Sequence, residues 1–338
     1  MAKSVAKSDS ASPIDSLPKP AVERFKRAMD RLVPGKDPIG IAVSGGPDSL
    51  ALLLLSAATR PGAIEAVTVD HNLREGSREE ADMVAALCGK LGIPHQILPI
   101  EWKEKPTTAI QERARRRRYG ALGDWAKKRG LKTLLTGHHA NDQAETLLMR
   151  LARGAGISGL AGMRFAVRVP GSDEALVRPL LGWQREELEK VCAAAGITPA
   201  SDPSNDDEQF ERVRVRKALN EADWLGAKEI SASASHLADA DVALTWAANR
   251  EWERVAKVEG GKIVIDPAGL PREIRRRLMA RAVTSLGSEG RGAPLRGQQS
   301  DRLLAALLAG QKGTLRGVAC AGGDTWTFAK APPRKAKA

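Results

Sequence analysis

The stretch Ser44-Gly45-Gly46-Pro47-Asp48-Ser49 joins two hydroxyls, two adjacent glycines and a carboxylate directly after a short apolar run. Adjacent glycines allow positive φ and let a ligand approach with no Cβ in the way. Free N–H groups at the start of the leucine-rich helix that follows would face an anion, aided by the helix dipole. Ser44 and Ser49 add donors, whereas Asp48 would repel a phosphate unless a divalent cation such as Mg²⁺ sits between them. The chemistry this suggests is the holding of Mg²⁺-nucleotide phosphates. The lysine of the GxxxxGK[ST] loop is missing here, so that nucleotide motif is excluded. The literal GxGxxG at Gly154, Gly156 and Gly159 follows a helical pattern rather than a strand, and its dinucleotide-binding reading fails on context.

Three further stretches could do chemistry. His138, Asp142 and Glu145 fall at i, i+4 and i+7, on one face of a helix start. Acids in a first helical turn also suit the dipole, and Asn141 is a good N-cap. A histidine with two carboxylates lacks a third strong metal ligand, while a pair of carboxylates in a pocket suits an amino-group ligand. Asp70, His71, Asn72 and Arg74 cluster after the apolar run Ile64 to Asp70, ahead of a helix expected to be capped through Ser77. Finally, Arg115 to Arg118 form a run of four arginines. At about 100° per residue, Ile110, Ala114, Ala121, Leu122 and Trp125 share one arc. Arg118 lies inside that arc, Arg117 near its edge, Arg115 at the other margin and Arg116 opposite. An arginine on an apolar face needs an anionic partner, so Arg118 and then Arg115 are the functional candidates, and Arg116 belongs to the solvated face.

The elements that must position these residues alternate. Strands are expected at Gly40–Ser44, Ile64–Asp70, His95–Trp102, Leu131–Gly137 and, more weakly, Ala175–Leu180. Helices are expected around Ser49–Ala58, Ser77–Leu91, Thr108–Lys128 and Asp142–Arg153. Continuous rather than alternating apolar strands argue for an α/β fold, a Rossmann-like parallel sheet of about five strands with helices on both faces. Three of these stretches, all but the arginine run, would then lie at strand C-termini, where such sheets bind ligands. Beyond Trp183 the strand signal fades. A helix ending at Gly196 leads to a polar loop, and helices at Lys228–Ala256, Pro271–Ser285 and Gln299–Leu308 suggest a smaller, mainly helical domain. The expected divisions are a disordered segment over 1–20, an α/β domain over 21–219, a helical domain over 220–330 and a basic tail over 331–338.

The formal net charge of +12 suggests an anionic partner, of which nucleic acid is the commonest. Cys88, Cys192 and Cys320 are scattered, odd in number and without a CxxC, which excludes a disulfide framework and a zinc or iron–sulfur site. They read as buried small hydrophobes. The N-terminus has no apolar signal core and no run is long enough to span a membrane, so a reduced, cytoplasmic setting is expected.

The Ser-Gly-Gly-x-Asp-Ser turn after a first parallel strand resembles the loop of the PP-loop ATP pyrophosphatases, in which ATP is cut to AMP and pyrophosphate. Five later blocks narrow the resemblance. "VDHNLREGS…EAD", "ARRRRY", "GHHANDQAETLLMRLARGAGISGLAGM", "RPLL" and "DPSNDD" follow in order and, with the turn, are similar to the bacterial tRNA(Ile)-lysidine synthases from about Gly40 to Leu219. The resemblance implies a ligase that adenylates O2 of the wobble cytidine in tRNA(Ile) with a CAU anticodon. The ε-amine of L-lysine then attacks C2, giving lysidine, AMP and pyrophosphate. It implies that Ser44, Gly45, Gly46, Pro47, Asp48 and Ser49 hold ATP, with Asp48 on Mg²⁺. Val69 and His71 would flank adenine, Arg115 and Arg118 would meet phosphate, and Asp142 and Glu145 would bind lysine beside His138. Arg74, Arg212, Arg214 and Arg216 would face tRNA, although "RVRVR" at Arg212–Arg216 has valine where the family often has asparagine. A homodimer is compatible with the sequence. The alternatives are another PP-loop tRNA-modifying enzyme such as a thiolase, disfavoured by the absent CxxC, or a non-catalytic RNA-binding relative, disfavoured by the intact Asp48, Asp142 and Glu145.

Overall fold

Leu50 to Leu55 carry apolar side chains all round, and a helix made from such a run must be covered on every side. In the computed structural model all six residues are fully buried. The structure describes residues 12–72, 76–102, 110–200, 207–287, 295 and 297–332.

The chain begins with α1 (Lys19–Leu32), β1 (Ile39–Ala42), α2 (Pro47–Thr59), β2 (Ile64–Asp70) and α3 (Ser77–Leu91). It continues through β3 (His95–Pro99), α4 (Ile110–Arg129), β4 (Thr133–Leu135), α5 (Ala140–Leu151) and α6 (Ile157–Leu160). A hairpin of β5 (Ala166–Arg168) and β6 (Ala175–Val177) precedes α7 (Arg185–Ala194), α8 (Glu211–Glu221) and α9 (Ala227–Val255). The last part holds β7 (Ala256–Glu259), β8 (Lys262–Ile265), α10 (Arg272–Leu286), α11 (Gly297–Leu308), β9 (Lys312–Leu315), β10 (Val318–Ala321) and β11 (Trp326–Lys330).

Two compact units result. The first ends at Arg150 and resumes over Gly162–Ala234; the second takes Leu151–Ala161 and the chain from Ser235 onward. The sheet of the first unit has the order β3-β2-β1-β4-β6-β5, parallel except for β5. Ile41 of β1 pairs with Ala66 of β2 on one side and Leu135 of β4 on the other. The chain therefore winds one way from β1 and then the other, and the crevice beyond the C-terminal ends of β1 and β4 is the switch point where such sheets bind ligands. Phe25 and Met29 of α1, the α2 leucines, Val84 and Leu87 of α3 and Leu188 and Val191 of α7 share one core with Ile39 and Ile41. Tyr119, Leu122 and Trp125 of α4 form another with Val67, Leu134 and Leu176.

The α/β architecture follows the expectation, with three differences. The sheet has a sixth strand, because the exposed residues Ala166–Arg168 pair antiparallel with β6 without any apolar run to announce them. Residues 12–20 are not a disordered lead-in: Leu17 is buried in the core and α1 starts at Lys19. Residues 1–11 and the tail from 333 lie outside the described residues.

The second unit is mainly helical, as expected, with a small sheet added. Its three expected helices form, but they accompany a five-stranded antiparallel sheet of order β7-β8-β11-β10-β9. Trp326 and Phe328 alternate inward from β11 onto Ile263, Leu278 and Leu304. Four- and five-residue strands supply at most two buried positions each, too few for a clear period-2 signal. The division between the units falls inside α9 at Ser235, not near Asn220.

Candidate active site

The β1–α2 turn is fixed by its own side chains. Ser49 Oγ accepts the Ser44 N–H at 3.0 Å and donates to the Gly46 carbonyl at 3.0 Å. Gly45 has φ of +89°, the left-handed region that favours glycine, and its carbonyl accepts the Ala200 N–H at 3.0 Å. Pro47 occupies the first turn of α2, where its missing N–H is no loss. Beneath this turn runs the extension of β4, so close that a Cβ on Gly137 would fall 2.8 Å from the Asp48 carbonyl oxygen. Asp48 has one oxygen committed and one free: Oδ2 lies 3.3 Å from His139 Nε2, while Oδ1 is buried without a hydrogen-bond partner among the described residues.

The β4–α5 junction carries two histidines with different environments. His138 Nδ1 lies 2.9 Å from Thr136 Oγ1, and burial pushes its pKa down to about 3. Asp142 opposes that shift, whereas Arg178, Arg118 and Arg212 add to it. His139 is buried, and its Nδ1 accepts the Asn141 N–H at 3.3 Å, which puts the proton of a neutral ring on Nε2, facing Asp48. The same Nε2 is 3.6 Å from Asp142 Oδ2, which also accepts the His139 backbone N–H at 3.0 Å. Burial works against the charged ring, but Asp142 and Asp48 outweigh it and raise the His139 pKa. His139 thus stands between the two carboxylates.

Helix α8 closes the other side. Arg212 Nη2 donates to Asp142 Oδ1 at 2.6 Å and its Nε donates to Glu145 Oε2. Arg216 Nε donates to Glu145 Oε1 at 2.7 Å, and Glu145 is only 1% exposed. Burial alone would raise the Asp142 pKa, but His139 and Arg212 turn the shift downward. Arg214 points away, donating to the Glu208 carbonyl at 2.8 Å from an exposed position.

At the end of β2, Asp70 organises its own loop, its Oδ1 accepting the Asn72 N–H at 2.9 Å and the Ser77 hydroxyl at 2.8 Å. Ser77 is therefore the first helical residue and Gly76, with φ of +86°, the N-cap. His71 has its carbonyl held by Trp102 Nε1 at 2.8 Å and its Nδ1 buried without a partner among the described residues. Burial, then Arg118, lowers its pKa, and Asp70 opposes them. Arg74 lies outside the described residues.

On α4, the Arg115 and Arg118 guanidinium groups sit 4.9 and 5.3 Å from the Tyr119 ring. Arg116 pairs with Glu112 at 3.2 Å with both side chains exposed, as its place opposite the apolar arc implied. The structure therefore gathers Asp48, His138, Asp142 and Glu145 at the switch point, with Arg118 close enough to depress both His71 and His138. Two residues escape sequence reasoning. His139 was masked by its neighbour, which fits the i, i+4, i+7 spacing. Arg178 stands in the apolar run Ala175–Leu181, the same signal that marked Arg118.

The PP-loop domain family matches residues 19–223. A tRNA(Ile)-lysidine synthase from Novosphingobium aromaticivorans is 46% identical over 320 residues, 93% of this chain and 95% of the relative. The chain belongs to the tRNA(Ile)-lysidine synthase family. A second member, from Zymomonas mobilis, is 40% identical and spans 95% of this chain and 97% of its own. Among solved structures, a U34-tRNA thiolase NcsA from Methanococcus maripaludis with its [4Fe-4S] cluster superposes with a TM-score of 0.55. That match covers 65% of this chain and 80% of the thiolase at 16% identity, a likeness of fold alone. The lysidine synthase fold here keeps its three cysteines buried and free. No helix among the described residues is long and apolar enough to cross a membrane.

Proposed function

We propose that this chain ligates L-lysine to C2 of the wobble cytidine in tRNA(Ile) with a CAU anticodon, using ATP and releasing AMP and pyrophosphate. One observation carries the reading: the phosphate-side carboxylate Asp48 and the amine-side carboxylate Asp142 both lie within 3.6 Å of the single His139 Nε2. A nucleotide at the glycine turn and an amine at α5 would meet across that imidazole.

In this reading the Ser44–Ser49 turn and the α2 N-terminus bind the triphosphate through backbone N–H groups and hydroxyls. Val69 and His71 flank the adenine. Arg115 and Arg118 stabilise the charge that develops on the α-phosphate as the cytidine O2 attacks and pyrophosphate leaves. The buried, unpartnered Asp48 Oδ1 fits a hard cation. No group of three or more His, Cys, Asp or Glu among the described residues could hold a metal alone, so phosphate oxygens would complete the Mg²⁺ shell. When bound, Mg²⁺ supplies charge neutralisation on the phosphates.

Lysine must be held by its ammonium and then lose a proton before its amine attacks C2 and expels AMP. Asp142 and Glu145 are the acids for this step. Each carboxylate oxygen accepts two hydrogen bonds. Asp142 Oδ1, held among the described residues by Arg212, therefore keeps an acceptor position for the ammonium. Arg212 and Arg216, through these acids, fix the donor side, while Arg214 is free to meet the tRNA backbone. His138, neutral at physiological pH, lies beside Asp142 as a neutral hydrogen-bonding group.

The experiment is AMP release from ATP and Mg²⁺ with lysine and tRNA omitted in turn. AMP should require tRNA, and a CAU-anticodon tRNA(Ile) should gain a lysine-modified cytidine; AMP formed equally well without tRNA would sink the reading. Asp142→Asn should raise the KM for lysine more than the KM for ATP.

A further inference from the structure

Arg178 follows β6 directly and is 5% exposed. Its Nη1 donates to the Arg164 carbonyl at 2.8 Å, and its Nε is buried without a partner among the described residues. No carboxylate pairs with Arg178, Arg118 or Arg115 among the described residues. The part-buried Arg277 differs: it meets Asp241 at 2.6 Å and Glu273 at 2.8 Å. A buried charge without a counter-ion is costly unless something else neutralises it. The three arginines also act on one another. Arg115 depresses the pKa of Arg178 and of Arg118, each already lowered by burial. Such like-charge crowding is relieved by an anion.

The location says which anion. Thr136 N–H donates to the Val177 carbonyl at 3.1 Å, which ties the end of β6 to the end of β4. In the order β3-β2-β1-β4-β6, Arg178 thus lies across β4 from the phosphate turn at β1. His71 lies on the opposite side, at β2. A nucleotide that runs from the turn toward His71 leaves the β4–β6 side to the acceptor strand. Going inward, Arg115 is exposed, Arg118 half-buried and Arg178 buried, with the Tyr119 ring against the first two. Singly charged phosphodiesters have two free oxygens that match a guanidinium fork.

Building on the ligase reading, in which Arg115 and Arg118 serve the α-phosphate, we propose that Arg178 binds a backbone phosphate of the RNA strand that carries the target cytidine. Phosphate chemistry is shared with ATP, so the test separates the two sources. Full-length wild-type protein, Arg178→Met and Arg178→Lys are titrated with CAU-anticodon tRNA without ATP, and with ATP without tRNA, over a salt series. Arg178→Met should weaken tRNA binding by about tenfold or more, the effect of one charge-assisted contact. The slope of log K against log salt should flatten by about 0.7, as for one lost phosphate contact on a single strand. ATP affinity should not change, and Arg178→Lys, which keeps the charge but loses the fork, should fall between.

Weaker ATP binding with unchanged tRNA binding would assign the site to the nucleotide and overturn the proposal. A lowered melting temperature with both affinities intact would overturn it in favour of a purely structural arginine. If Arg178→Met does not fold, Arg178→Lys decides, and wild-type tRNA affinity in that variant counts against the proposal. Wild-type AMP release in the presence of tRNA tests the ligase reading separately, so the two can fail independently.

Discussion

Arg212 and Arg216 on α8 end on carboxylates, whereas Arg115, Arg118 and Arg178 meet Tyr119, a carbonyl and one another, and no carboxylate among the described residues. Arg212 of the first group and Arg178 and Arg118 of the second act on His138, yet the groups do different work. The paired arginines neutralise Asp142 and Glu145, and at Asp142 Arg212 acts with His139 against the upward push of burial. The other three hold positive charge in a place where no carboxylate among the described residues neutralises it. Pairing thus separates arginines that build the site from arginines that await a ligand.

Four measurements would break or sharpen that contrast. Arg118→Met should lower the rate of cytidine adenylation by about 10²–10³-fold, the loss of one stabilising donor near a developing charge, equivalent to about 2.7–4 kcal/mol. Its stability to urea should fall little, because no carboxylate is stranded; a large fall would erase the contrast. Arg212→Met should destabilise the fold by about 3 kcal/mol, since it removes the guanidinium that Asp142 and Glu145 share. The pH sign is specific. Asp142 has a folded pKa below the ordinary 3.8, so its contribution is present above that value and is lost as pH falls through the folded one. In Arg212→Met that acid limb should shrink.

His138 provides a smaller, spectroscopic test. With a folded pKa of about 3 against 6.5, it binds fewer protons folded than unfolded. Stability should therefore decline as pH drops from 6.5 toward 3, and imidazole NMR shifts should report a neutral ring at pH 6. Because Arg178 and Arg118 both depress this pKa, Arg178→Met or Arg118→Met should raise it; no rise would mean that the arginines do not share its surroundings. Least affected should be Arg116→Gln, with a stability change under about 0.5 kcal/mol, as expected for an exposed i,i+4 pair.

Much of the site was legible in the chain order. The turn at Ser44–Ser49, the acids Asp142 and Glu145 and the apolar-face position of Arg118 each violate what plain packing would choose, and that violation is visible in one dimension. His139 was hidden because its partner, Asp48, lies far away in sequence, and no periodicity connects them. Arg212 and Arg216 read as an RNA-facing run because the sequence shows their charge but not the buried carboxylates they meet. The small C-terminal sheet was missed for a different reason: strands of four or five residues gain their order from neighbours on other strands.

The sequence by itself determined the element types, the parallel sheet and the identity of the chemical groups, because apolar runs, glycines and misplaced charges act locally. Only the tertiary structure decided which charges are neutralised. Strand order brought Asp48 within reach of His139, α8 met the α5 acids, and β6 carried Arg178 to a place where no carboxylate among the described residues receives it. The energy of a buried charge depends on what lies within a few ångströms, and that distance is set by the fold rather than by the order of residues.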